Sequence, residues 1–331
     1  ELKKDNTKRL WVHISNPCRL FSLNSTIDNE AKKINSSLYL IDKYIPMLPN
    51  EIIKEANLKQ NKVSNTISAL IDFNDNGSIN KYKIVEAIIK PKYQLTYTDA
   101  DDIIDLEPKE ESDLIEIKKL LLKSLSYRKS QGAISFDMPT SYFKLIEGNL
   151  FLKNSEKTIS KILVSEAMIL MGYVTSLFLI ENNLPGAFRS QRINCNSEDI
   201  LRKYRDSEIK YLFLKQYIGK SYITTKPNKH ECLGLNSYVQ CTSPLRRYLD
   251  LLVQRQVYNK ITKNNLIDSY LVTEIIDYTR ARQKEIYNIY KNNKLKYLIL
   301  FLNKENKPHY KIIFVRWVNQ KRNIALVYFP N

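Results

Sequence analysis

The chain has 331 residues, with 52 Lys and Arg against 35 Asp and Glu, a formal net charge of +17. Hydrophobic residues make up 43% and charged residues 26%, a globular composition that excludes disorder of the whole chain. The length suggests about two domains and is enough to build a core without disulfides or a structural metal.

The basic excess favours a polyanionic partner, nucleic acid ahead of a membrane surface. The 22 tyrosines add rings on which bases stack. An AT-rich gene would also enrich Lys and Asn and leave few glycines, here 7. Cys18, Cys195, Cys232 and Cys241 are scattered with no secretory segment before them, so they read as reduced thiols of a cytoplasmic protein. The chain opens at Glu1 close to a strand-like run and ends inside the apolar run Ile324–Phe329, as a fragment would.

In chain order, the apolar pattern predicts a strand over 10–15 and a short helix from Asp28 to Ser36. Two prolines in Ile45-Pro46-Met47-Leu48-Pro49 exclude a helix or a central strand there. Alternation over 66–73 and 79–89, around Asn74-Asp75-Asn76-Gly77, predicts a β-hairpin. Helical spacing covers 111–130, 197–218, 243–262 and 273–298, while 133–136 and 141–153 read as strands. The segment 307–329 alternates again, and a boundary near 298–306 divides the chain into 1–298 and 307–331. Leu163–Ile180 is the one membrane candidate. Glu166 and Gly172 interrupt it, so a buried central helix is expected and no membrane partner.

Three constellations take a structural reading. Asp72, Asn74, Asn76 and Gly77 resemble the start of a calcium loop, but Lys83 holds the twelfth position and strands flank it. Asp99, Asp101 and Asp102 suit the first turn of a helix capped by Thr98. His230, Cys232, Cys241 and Cys195 include no C-x-x-C pair, which speaks against zinc.

The strongest local signal is Gln240-Cys241-Thr242-Ser243-Pro244-Leu245-Arg246-Arg247-Tyr248. Ser243 suits an N-cap and Pro244 the first helical position, which would put Arg246 and Arg247 in a first turn. Cations oppose the helix dipole there, so an anion is expected, and a guanidinium fork matches phosphate. The alternative is two surface arginines with carboxylate partners.

Leu233-Gly234-Leu235, Tyr238 and Thr242–Leu251 resemble the signature of the ribonuclease II (RNB-domain) exoribonucleases. Trp11–Pro17, Ser37–Leu40, Ile45–Pro49, Leu95–Tyr97 and Val164–Ile169 resemble further blocks in the family's order, and 307–329 resembles the start of its OB-type domain. The resemblance implies an α/β (α+β) fold: a mixed-sheet RNB catalytic domain surrounded by helices, then the beginning of an OB-fold barrel. It implies 3′-to-5′ hydrolysis of single-stranded RNA to nucleoside 5′-monophosphates. No obligate protein partner is evident in the sequence, so a monomer is expected. Arg246 would clamp the scissile phosphate, with Ser243 and Arg247 beside it on the RNA. Tyr39 and Phe136 would stack on terminal bases, Tyr97 would contact RNA near the product end, and Glu166 would hydrogen-bond the terminal ribose or base. The family's Mg²⁺-binding aspartates fall before Glu1, so no metal ligand is expected within the chain. RNA binding with poor degradation is expected, or, alternatively, a non-catalytic RNA-binding relative. Asn16 stands where the family usually has Asp, and Gln254 where it often has His.

Overall fold

A computed structural model describes residues 1–3, 8–135, 140–194, 197–203, 209–305 and 309–328. Strand β1 (Arg9–Ser15) sends Leu10, Val12 and Ile14 into the core at alternate positions. Helix α1 (Thr26–Ile34) starts two residues before the expected Asp28, because the Ser25 side chain accepts the Asp28 amide as N-cap. A two-residue ladder follows, β2 (Leu38–Tyr39) with β3 (Tyr44–Ile45), then helix α2 (Asn50–Ala56) directly after the prolines.

The predicted hairpin is β4 (Ser64–Phe73) with β5 (Ile79–Ile89). Gly77 turns it with φ of +86°, and a Cβ there would lie 2.4 Å from the Lys123 carbonyl oxygen. No other residue type fits that approach of the hairpin tip to a helix backbone. The order β1–β4–β5 makes a three-stranded antiparallel sheet with β4 at its centre, buried along most of its length.

Helix α3 (Tyr97–Leu106) starts from a capping box between Thr96 and Asp99, so the N-cap is Thr96 and not Thr98. Helix α4 (Ser112–Ser130) matches its expected span. Residues 133–135 form no strand; the Ile134 amide donates instead to the Cys232 carbonyl at 3.1 Å. Phe136 lies outside the described residues. The single strand expected over 141–153 is a hairpin, β6 (Thr140–Ile146) and β7 (Asn149–Ser155), reversing at Glu147 and Gly148 with positive φ.

Helix α5 (Ile159–Glu181) contains the apolar run and is long and apolar enough to cross a membrane. It packs against α3, α4, β1 and β5, and both interruptions have structural causes. Glu166 accepts hydrogen bonds from Ser124 and Arg128 of α4. At Gly172 a Cβ would stand 2.4 Å from the Val239 carbonyl and the Tyr238 ring, so the segment approaching Cys241 crosses α5 where the helix has no side chain.

Strand β8 (Phe188–Ser190) follows. The expected helix over 197–218 is described as two pieces, α6 (Ser197–Lys203) and α7 (Lys210–Tyr217), ahead of strand β9 (Tyr222–Thr224), which pairs with β8. Helix α8 (Tyr248–Thr262) buries every residue from Tyr248 to Val257, as a helix enclosed on all sides must. Helix α9 (Ser269–Glu305) is longer at both ends than the periodicity over 273–298 indicated. The alternating C-terminal segment forms the hairpin β10 (Ile313–Asn319) and β11 (Ile324–Tyr328). Helices around a sheet are therefore the observed class, and every described strand ladder is antiparallel.

Candidate nucleic-acid interface

The arginine pair does not sit in a helical first turn. Helix α8 begins at Tyr248, with Arg247 extended at its N-cap (φ −139°, ψ 121°). The Ser243 carbonyl accepts the amides of both Arg246 and Arg247, at 3.1 and 3.0 Å, closing a tight turn, while the Tyr248 amide goes to the Asn35 carbonyl at 2.9 Å. Those amides are consumed, and Ser243 is not the helix N-cap. The cause is Asp250, which is 1% exposed and accepts both the Ser243 amide at 2.9 Å and an Arg247 guanidinium nitrogen at 2.6 Å. This pulls the turn back over the helix start. Burial raises the Asp250 carboxyl above its ordinary range, and Arg247 opposes the shift.

The two arginines therefore differ. Arg247 is half-buried and ion-paired, the carboxylate-partnered alternative weighed from the sequence. Arg246 is exposed on the turn, and among the described residues no carboxylate pairs with it.

Beside this turn runs the β2–β3 hairpin. Ser36 bridges Arg247, and the Ser37 amide donates to the Arg246 carbonyl at 3.1 Å. Leu38 and Ile45 pair on the inner face; Tyr39 and Tyr44 pair on the outer face, 52% and 49% exposed. Helix α9 holds the hairpin from outside. The Tyr39 amide donates to the Tyr290 hydroxyl at 2.8 Å, the Ile41 amide to Asn293 Oδ1 at 3.1 Å, and Asn293 Nδ2 to Asp42 at 3.0 Å. Burial and the Tyr44 hydroxyl raise the Tyr39 hydroxyl pKa, while nearby Arg246 lowers it.

Tyr97 and Glu166 belong to a second place. A cavity of about 450 Å³ is lined by Arg128, Ser135, Lys157, Lys161, Ser165 and Glu166, among others. Tyr97 does not line it but is half-exposed near its rim residue Lys161, whose Nζ lies 5.8 Å from the Tyr97 ring centre. Glu166 is 2% exposed and already engaged by Arg128 Nε at 2.9 Å and Ser124 at 2.8 Å. The structure thus unites Tyr39, Ser243, Arg246 and Arg247, and separately Tyr97 and Glu166.

The Mg²⁺ implied by the resemblance finds no fitting ligand set: among the described residues no group of three or more His, Cys, Asp or Glu could hold a metal ion. Asp99 is committed to the Thr96 capping box, and Asp101 accepts the Ser160 amide at 2.8 Å. Cys18, Cys232 and Cys241 are free and buried, and burial pushes the Cys241 thiol up to about 12. Cys195 lies outside the described residues. The two departures from the family pattern share one buried corner. Gln254 donates to the Ser15 carbonyl at 2.9 Å, next to Asn16, whose side-chain amide has no partner.

Sequence reasoning missed Tyr44, Asp250 and Tyr290. Asp250 follows Arg247 at ion-pairing spacing. Tyr44 stands one residue before the proline block, but its partnership with Tyr39 needs the ladder. Tyr290 left no signal, because its hairpin partner is remote in sequence.

An exposed arginine on a turn held by a buried carboxylate, beside outward-facing rings on an α+β scaffold, presents groups that suit phosphate and base contacts. The RNB domain family matches residues 1–263, and the chain belongs to that family. An uncharacterized ribonuclease of Synechocystis sp. is 29% identical over 99% of this chain and 50% of its own length. The Dss1 exoribonuclease of Candida glabrata, an active-site mutant, superposes with a TM-score of 0.89 at 20% identity, over 99% of this chain and 46% of its own. Mycoplasma genitalium RNase R in complex with ribose-methylated single-stranded RNA gives 0.82 at 20% identity, over 92% of this chain and 55% of its own. The chain spans about half the length of the curated relatives it matches.

Proposed function

We propose that the chain binds single-stranded RNA at its 3′ end and is part of a 3′-to-5′ exoribonuclease that releases nucleoside 5′-monophosphates. The observation that carries this reading is Arg246, a cation without a described carboxylate partner on a fixed turn beside the exposed ring of Tyr39. A guanidinium presents a planar fork of donors to phosphate oxygens, and an exposed ring stacks on a base. The RNA complex of the Mycoplasma relative and the family membership support the same substrate.

Within that reading Tyr39 positions a base and Arg246 binds the adjacent phosphate, stabilising the charge that grows on its oxygens as the bond breaks. Arg247 and Asp250 hold the turn. Mg²⁺ chemistry requires ligands that the described residues do not supply, so no step here passes through a metal. A second reading is an RNA-binding relative without catalysis; yeast Ssd1, a pseudonuclease, has the same fold with a TM-score of 0.72 at 15% identity. The 307–331 segment as the start of an OB-fold domain, a monomeric state and a cytoplasmic location belong to the proposal as well.

The test is binding and degradation of an end-labelled oligoribonucleotide. Affinity should fall steeply with salt, as several phosphate contacts require, and added Mg²⁺ should give little degradation by residues 1–331. Salt-insensitive or absent binding would overturn the reading. Brisk processive release of monophosphates would place the metal site inside the chain, with Asp99, Asp101 and Asp102 the next candidates.

A further inference from the structure

Tyr44 is an exposed aromatic that no role above uses. Its ring centre lies 4.9 Å from that of Tyr39 with 36° between the planes. The two residues are direct cross-strand partners, so their side chains leave the same face of the hairpin. About half of each ring remains in solvent. Two adjoining rings left exposed on a rigid element, with a cation beside them, mark a binding surface and not a core.

The hairpin is rigid for reasons already given. Tyr290 and Asn293 of α9 hold Tyr39, Ile41 and Asp42, and Ser37 is bonded to the Arg246 turn. The Leu40 amide closes the hairpin on the Lys43 carbonyl at 2.9 Å. Lys43, next to Tyr44 in sequence, is exposed at the hairpin tip, and Arg246 acts on the Tyr39 hydroxyl from the adjoining turn. Cations near a ring pair complement a chain that carries bases on a phosphate backbone.

We infer that Tyr39 and Tyr44 together form one two-ring platform for the bases of single-stranded RNA, with Tyr44 contacting a base directly. The inference rests on the proposed RNA-binding reading and extends it by a residue and a contact. A gap of 4.9 Å between ring centres admits no base between them, since stacked rings already touch at that spacing. The bases therefore lie on the outward surface of the pair. Stacking of this kind is tolerant of sequence, because every base has a flat face.

The test compares the parent chain with Tyr44→Ala, Tyr44→Phe and Tyr39→Ala, using a fluorescent single-stranded oligoribonucleotide and a matched probe with abasic sites at its 3′ end. One lost stacking contact reduces affinity by a factor of about 5–150. Tyr44→Ala should show a loss in that range on the base-bearing probe and none on the abasic probe. Tyr44→Phe keeps the ring and should bind like the parent. Unchanged melting temperatures are expected, because the side chain is half in solvent, and they separate lost contact from lost fold. If Tyr39→Ala weakens binding and Tyr44→Ala does not, the platform has one ring and the inference falls while the RNA-binding reading stands. An equal loss on both probes assigns Tyr44 to something other than a base and overturns the inference. If the parent binds neither probe, both fall together.

Discussion

The backbone amide of Ser37 donates to the backbone carbonyl of Arg246 at 3.1 Å. Two residues on from Ser37 stands Tyr39, the ring proposed to stack on a base; on Arg246 itself stands the exposed guanidinium. One main-chain hydrogen bond therefore sets the register between the Tyr39 hairpin and the Arg246 turn, although the residues come from distant parts of the chain. Main-chain bonds involve no side-chain rotamer, so the relation is fixed before RNA arrives, and that pre-organisation lowers the cost of binding.

The arginines should separate in a rate assay. In any form of the protein that degrades RNA, Arg246→Lys should lower kcat by about 10²–10³, as loss of one fixed transition-state donor does. Affinity for a long RNA should change little, because many phosphates share it. Arg247→Lys should keep most of the rate but lower the melting temperature, since Arg247 is bound to the buried Asp250. A larger rate loss at Arg247 would exchange the two roles.

Tyr39→Ala should weaken single-stranded RNA binding by a factor of about 5–150 or lengthen the limit product of digestion. Loss of thermal stability with unchanged affinity per folded molecule would make Tyr39 a packing residue instead.

Glu166 divides a structural from a functional account. The Arg128–Glu166 pair is buried on both sides, with side-chain exposures of 7% and 2%. Removing one partner strands the other charge, so Glu166→Ala should cost about 3–5 kcal/mol in denaturant unfolding. An unchanged unfolding midpoint with weakened RNA binding would instead give Glu166 the ribose or base contact that the family resemblance implies.

Acid should destabilise the fold partly through His230. Burial first, and Arg189 second, lower its pKa from 6.5 to about 4. The folded state keeps the ring neutral while the unfolded chain takes up a proton, so this contribution is intact above pH 6.5 and is lost as pH falls towards about 4. Thermal melts across that window should fall less steeply for His230→Gln than for the parent. Identical slopes would contradict the assignment.

The family's blocks, the β4–β5 hairpin, α4 and the buried helix α5 were legible in the sequence because each rests on short-range periodicity or turn chemistry. Two local signals misled. Ser243-Pro244 has the chemistry of a helix start, yet the long-range bridge from Ser36 to Arg247 and the pull of Asp250 delay the helix to Tyr248. The run 141–153 reads as continuous alternation, and only positive φ at Glu147 and Gly148 turns it into two strands. In the site, Arg246 and Tyr39 could be picked out from the motifs that hold them. Their adjacency, the second ring at Tyr44 and the support from Tyr290 depend on contacts between distant segments, which periodicity does not encode.

The most direct test of the central claim is a crosslinking map of the RNA 3′ end. A single-stranded oligoribonucleotide with a photoreactive base at its 3′ end is bound to the chain, irradiated, digested and sequenced by mass spectrometry. The account predicts crosslinks on the β2–β3 hairpin, at Tyr39 or Tyr44, reduced by Tyr39→Ala and competed by unlabelled single strand. Crosslinks confined to the other exposed tyrosines of the chain, such as Tyr270 and Tyr287 on α9, would contradict it.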